Sequence, residues 1–248
     1  MTAGNPPVAL VTGGARRIGA AICETLHNNG FKVIIHCHNS LPAANLLAQK
    51  LNQHCPDSAR VLVADLNDFT QIQQLARDTL SAWNRVDVLV NNASSFFPTP
   101  LAQATPDHWD NLINSNLKSP FFLSCELHTE LARAKGCIIN ICDIFGFRPM
   151  PRHPIYSIAK AGNAMLTQSL ALEMAPEVRV NGVAPGAILW PENSAGQEIP
   201  APEKVQEIPL GSLGGSKAVA DTVLFLVKNA PYITGEIIVV DGGRTLKQ

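Results

Sequence analysis

The 248-residue sequence predicts an α/β fold: a doubly wound parallel sheet of about seven strands, with helices on both faces. Three observations carry this expectation. Short β-branched runs alternate with longer amphipathic stretches, the runs are apolar throughout instead of alternating, and a glycine-rich turn follows the first of them. Uniformly apolar strands are buried on both faces, which demands helices above and below the sheet in an α/β/α arrangement of three layers.

In chain order, VALVTG is the first strand and a helix over about 17–29 follows it. VIIHCH precedes a helix over about 41–53, RVLVAD precedes one over about 69–83, and VDVLVNN is the fourth strand. Helical sequence over about 105–135 leads to the strand GCIINICD, a long helix over about 154–175 leads to VRVNGVAPG, and EIIVVDGG closes the sheet. Residues 187–215 hold four prolines and no clear period. A loop that long in a compact domain usually has a function. Its Leu189 and Trp190 need something to cover, so a substrate lid is expected there, within one domain spanning residues 1–248.

Apolar residues make up 46% of the chain and charged residues 16%, enough for one large core. A formal charge of -1 supplies no basic field for a polyanion, which argues against nucleic acid or an anionic membrane and leaves a small molecule as partner. No basic segment precedes VALVTGG and no apolar run reaches the roughly eighteen residues of a membrane span, so a cytoplasmic protein is expected. Six cysteines lie scattered without CxxC pairs and read as reduced and structural. In His36-Cys37-His38 a strand turns the thiol away from the two imidazoles, so no metal is expected.

Residues 12–19, TGGARRIG, follow a strand and open a helix, the setting of a dinucleotide site. Gly13 permits the tight turn, and the helix-start amides can hold a pyrophosphate. Arg17 stands where such loops normally have glycine; it reads either as a guanidinium for phosphate or substrate, or as a solvated first-turn arginine. The second strand ends His36-Cys37-His38-Asn39-Ser40 without the acid that binds ribose hydroxyls in NAD sites. With Arg16 in the glycine loop, this favours NADP(H), the 2'-phosphate meeting His38, Asn39 and Ser40. Tyr156 and Lys160 stand four apart on a helix and share a face. The ammonium there is expected to lower the phenol's pKa and make it an acid/base device.

These motifs, in this order, resemble the short-chain dehydrogenases/reductases over nearly the whole chain. The matching features are TGGARRIG, Asp65 after the third strand, NNAS at 91–94, Asn116 in NSNLKSPF, Tyr156 with Lys160, Pro185-Gly186 and YITGEIIVVDGG. The resemblance implies a Rossmann-type domain in which Tyr156 donates the proton, Lys160 holds the ribose and tunes Tyr156, and Asn116 supports a water relay behind Lys160. It also implies cofactor contacts from Ile18, Gly19, Asp65, Leu66, Asn92, Ala93, Ser94, Pro185, Gly186 and Ile188, beside Gly13, Arg16, Arg17, Tyr156 and Lys160.

Most members carry serine thirteen residues before the tyrosine, whereas this chain has Asp143. That acid, Arg17 and the run NNASSF-P-TPL at 91–101 together resemble the pteridine reductase branch. By this resemblance Phe96 stacks on one face of a pterin with the nicotinamide on the other, and Ser94, Arg17, Asp143 and Tyr156 bond its edge beside Leu189 and Trp190. The branch implies NADPH and a homotetramer. Asn39 departs from it, since an arginine usually stands there.

Chemistry gives the acid a separate rationale. A ketone needs a proton only on oxygen, but reducing C=N puts one on ring nitrogen, and an aminopterin offers N–H donors to a carboxylate. The expected activity is NADPH-dependent reduction of dihydropterins, with dihydrofolate and oxidised pterins left open as substrates. A short-chain carbonyl or 3-oxoacyl-acyl-carrier-protein reductase is the enzyme alternative, and a non-catalytic NADP sensor the other.

Overall fold

The computed structural model describes residues 6–191 and 197–247. Its strands are β1 (Val8–Val11), β2 (Lys32–Cys37), β3 (Ala59–Val63), β4 (Val88–Asn91), β5 (Cys137–Ile141), β6 (Arg179–Pro185) and β7 (Ile237–Val240). They form one seven-stranded sheet in the order β3-β2-β1-β4-β5-β6-β7, every neighbouring pair parallel. The chain winds outward from β1 to β3, then crosses back to β4 and winds the other way. The strand order therefore reverses between β1 and β4, and the crevice beyond their carboxyl ends is where such sheets bind ligands.

The helices are α1 (Arg17–Asn28), α2 (Leu41–His54), α3 (Phe69–Trp83), α4 (Pro106–Ile113), α5 (Ser119–Ala134), α6 (Pro154–Glu173), α7 (Pro202–Gln206) and α8 (Gly215–Lys228). Local chemistry sets their starts. Asp68 caps α3 by accepting from the Thr70 amide, and Thr105 caps α4 by accepting from His108, with Pro106 pre-set for the first turn. Alternate strand residues point to opposite faces. Ala9, Val11, Val33 and Ile35 meet Ile22, Leu26, Val223 and Leu226 of α1 and α8, while Val8, Leu10, Ile34 and Leu89 meet Ile72, Leu75, Leu123 and Leu127 of α3 and α5. Each such leucine or isoleucine contributes roughly 1.5–3 kcal/mol of burial, so the sheet is the rigid platform for the crevice.

Three features refine or add to what the sequence predicts. The helical stretch over 105–135 is broken by a π-helical turn at Asn114–Lys118, where the Asn116 side chain donates to the Leu112 and Ser95 carbonyls. Helix α8 was not anticipated between the last two strands. Parallel β6 and β7 need a crossover element, and Val219, Ala220, Val223 and Leu226 carry its buried stripe. Residues 187–215 are not without secondary structure, because α7 lies among them; residues 192–196 of that segment lie outside the described residues. Among the described residues, no helix is long and apolar enough to cross a membrane.

Candidate active site

The glycine loop is held from both sides. From β4, the Asn92 side-chain amide donates to the Thr12 and Gly13 carbonyls at 2.9 and 3.1 Å, and Thr12 Oγ1 accepts from the Asn92 and Ala93 amides. From β2, His36 Nδ1 accepts from the Gly13 amide at 3.2 Å. That contact makes Nε2 the protonated nitrogen, which donates to the Ala64 carbonyl at 3.1 Å. Burial pushes the His36 pKa down to about 4, so the ring stays neutral and keeps its acceptor.

Gly13 sits at φ +60°, and a Cβ on Gly19 would collide with the Gly13 carbonyl, so both glycines are used for close packing. Arg17 also sits in the left-handed region, at φ +52°, which explains why glycine is usual there. Its Nη2 donates to the Trp190 carbonyl at 2.7 Å, tying the loop after β6 to the start of α1. No side chain caps α1 at Arg16, leaving its first-turn amides suited to an anion.

At the ends of β5 and α6 the Tyr156 hydroxyl donates to Asp143 Oδ2 at 2.6 Å, and Asp143 Oδ1 accepts from the Phe145 amide at 2.9 Å. Burial pushes the Asp143 carboxyl above the ordinary carboxylate range, against the downward pull of the Phe145 amide, the Tyr156 hydroxyl and the Lys160 charge. The buried Tyr156 phenol is held well above a free phenol, by desolvation first and then by the Asp143 charge and their hydrogen bond. This reverses the expected downward tuning by Lys160. The Lys160 ammonium instead donates to the Ile141 carbonyl at 2.9 Å and lies 5.7 Å from the Tyr156 ring centre, with its own pKa lowered by burial.

Two cavities flank these groups. One, of about 710 Å3, is lined by Asp143, Tyr156, Lys160, Arg17, Ile18, Asn92, Ser94, Phe96, Pro185, Gly186, Ile188, Leu189 and Trp190. The other, of about 300 Å3, is lined by Gly13, Arg16, His38, Asn39, Ser40, Asp65, Leu66, Ala93 and Ser94. Ser94 lines both, and its hydroxyl donates to Asn116 Oδ1 at 2.6 Å.

Comparison with known proteins now decides the family. The family model described as enoyl-(acyl carrier protein) reductase matches residues 13–245. The chain belongs to the short-chain dehydrogenase/reductase family. It is 35% identical to pteridine reductase 1 of Leishmania tarentolae over 291 residues, covering 99% of this chain and 98% of that one. It is also 35% identical to a 3-oxoacyl-(acyl-carrier-protein) reductase of Synechocystis over 250 residues, covering 99% and 100%. A Staphylococcus aureus 3-oxoacyl-(acyl-carrier-protein) reductase is 32% identical over 238 residues, covering 95% and 96%. The protein is thus an oxidoreductase of this family.

A nicotinamide dinucleotide fits the two cavities: the uncapped start of α1 and the close-packed glycines lie between them, and Lys160, Pro185 and Gly186 line the larger. Among the residues anticipated from sequence, Asn116 and Gly19 line neither cavity; Asn116 is buried behind Ser94, and Gly19 packs against Gly13. Phe96 lines the larger cavity, but one face stacks on His153 at 4.7 Å between centres, and its ring stands edge-on to Tyr156 at 4.9 Å. Asp65 Oδ1 lies 4.0 Å from His38 Nδ1, so β3 brings an acid to the end of β2 that local reading lacked. Sequence reasoning missed Phe145, Met150, Lys204 and Arg244 in the larger cavity. Arg244 pairs with Glu207 and lies 5.8 Å from the Phe145 ring, a contact between distant segments that no local motif announces.

Proposed function

We propose that the protein is an NADPH-dependent pteridine reductase that converts dihydropterins to tetrahydropterins, with dihydrofolate and oxidised pterins in the same substrate class. The observation carrying this reading is the half-buried Asp143 carboxyl, turned into the larger cavity and bonded to the Tyr156 hydroxyl. A carbonyl reductase needs one proton donor at oxygen. Here two linked acidic groups face the cavity, suited to a heterocycle that presents N–H donors and takes a proton on nitrogen. Overall identity does not favour either relative, at 35% each for the pteridine and the Synechocystis oxoacyl enzyme, so support for the pterin reading comes from Asp143.

When bound, the cofactor supplies a hydride. Tyr156 and Asp143 hold and deliver the proton, Phe96 and Trp190 wall the flat ring from water, and Arg17 and Ser94 bond its edge. Lys160 holds the ribose, and Asn116 supports the proton path behind it. Support for NADPH comes from Arg16, His38, Asn39 and Ser40 around the smaller cavity. The described residues of the 187–215 segment act as the lid, with Trp190 tied to Arg17.

A homotetramer is supported by two separate apolar faces. Ile158, Met165 and Leu172 are exposed at seven-residue spacing on α6, and Phe225 of α8 and Val239 of the edge strand β7 are exposed as well. Two such faces, each pairing with its counterpart on another copy, would generate a closed four-subunit assembly. A cytoplasmic location suits six unpaired thiols.

The test is NADPH oxidation measured side by side with dihydrobiopterin and with an acetoacetyl thioester. Turnover of the pterin with little of the thioester is expected; turnover of the thioester alone ends this reading.

A further inference from the structure

Helix α6 carries a buried polar stripe, Tyr156, Lys160, Asn163 and Thr167, at intervals of four, three and four residues. These side chains meet four consecutive residues leaving β5. Thr167 Oγ1 accepts from Asn140 Nδ2 at 2.9 Å, Lys160 Nζ donates to the Ile141 carbonyl at 2.9 Å, Asn163 Oδ1 accepts from Cys142 Sγ at 3.1 Å, and Tyr156 donates to Asp143 at 2.6 Å. The helix and the strand end are therefore locked in register by side chains.

Asn163 also reaches a third element. Its Nδ2 donates to the Asn116 carbonyl in the π-helical turn at 2.9 Å. A carboxamide only 1% exposed is costly to bury unless both ends are bonded, and here both are. A leucine would fill similar space without any polar requirement, so packing alone does not call for an amide.

We infer that Asn163 is a positioning residue that ties the strand end carrying Asp143 to the turn carrying Asn116, and so fixes the spacing of the Asp143–Tyr156 pair. The link runs from Cys142, next to Asp143, through Asn163 to Asn116, whose side chain holds the Ser94 hydroxyl on the cavity wall. Without it, the strand end and the turn relax separately. The reacting groups then lose alignment, while the glycine loop, whose bonds run to Asn92, Ala93 and His36, stays as it is.

The experiment compares Asn163→Leu, Cys142→Ala and the double variant in kcat, KM, direct NADPH binding and Tm. It uses whichever of dihydrobiopterin or the acetoacetyl thioester the wild-type turns over, so failure of the pterin reading leaves this test intact. Misalignment of this kind predicts a fall in kcat of roughly ten- to a hundredfold for Asn163→Leu, with KM and NADPH affinity held within about threefold. Cys142→Ala should lower kcat less, because a thiol is a weak donor, and the double variant should be no worse than Asn163→Leu. Wild-type kcat with a lowered Tm, or equal losses in kcat and NADPH affinity, would overturn the inference. If Asn163→Leu does not fold, Cys142→Ala decides: a lowered kcat with NADPH affinity kept supports the link, and an unchanged kcat overturns it.

Discussion

The Tyr156 hydroxyl and the Asp143 carboxyl stand 2.6 Å apart, one proton between two oxygens in a desolvated pocket. An acid whose folded pKa is raised is more protonated folded than unfolded above the ordinary value of 3.8. Its contribution to stability therefore declines as pH rises from 3.8 through the folded pKa, and at neutral pH the ionised form is a standing penalty. Asp143→Asn should remove that penalty. Its Tm at pH 7 to 8 is expected to exceed that of wild-type. Melts across pH should show the gain shrinking toward acid; a loss at all pH values would contradict it.

The same shift fixes the sign of the rate profile. If Asp143 is a proton source it must be protonated, so kcat/KM falls as pH rises through its raised pKa. In Asp143→Ser that limb should disappear. A limb that persists would assign it to another group.

Arg17 holds a left-handed backbone that costs a non-glycine residue about 1–2 kcal/mol. Arg17→Gly should therefore leave Tm unchanged or slightly higher, while weakening substrate binding by about tenfold or more through the lost charged donor. Thermal shift and substrate titration check the two halves. A clear drop in Tm would mean that the Trp190 contact outweighs the strain.

NADPH preference is expected to rest on Arg16. Arg16→Ala should weaken NADPH binding by about tenfold or more, the worth of one charged hydrogen bond, while NADH binding changes by no more than about threefold. Fluorescence titration with both nucleotides measures this. Equal loss for both would place the 2'-phosphate elsewhere.

Tyr156→Phe keeps the ring and removes the proton. Turnover should fall by roughly a hundredfold to ten-thousandfold with NADPH binding retained. Unchanged turnover would refute its role.

Much of the fold was legible because its strands are apolar throughout and spaced by helical stretches, the pattern of a parallel sheet covered on both faces. Helix α8 leaves a weaker signal, the spacing of Val219, Val223 and Leu226, directly after a proline-rich stretch without period. Tyr156, Lys160 and Asp143 could be picked out by spacing, and the structure brings them together. The direction of Tyr156's shift could not, since it depends on where the Lys160 ammonium points and on how thoroughly the pair is desolvated. Contacts closed across distant segments, such as His36 to Gly13 or Arg244 beside Phe145, leave no local signature. The π-helical turn at Asn116 is a one-residue adjustment that periodicity cannot resolve.

The most direct measurement is Asp143→Ser, assayed for dihydrobiopterin reduction and for NADPH affinity in the same preparation. Pterin turnover should collapse by on the order of a hundredfold or more while NADPH binding stays within about threefold of wild-type. Equal loss of both, or pterin turnover at the wild-type rate, would contradict the assignment of Asp143 to the substrate.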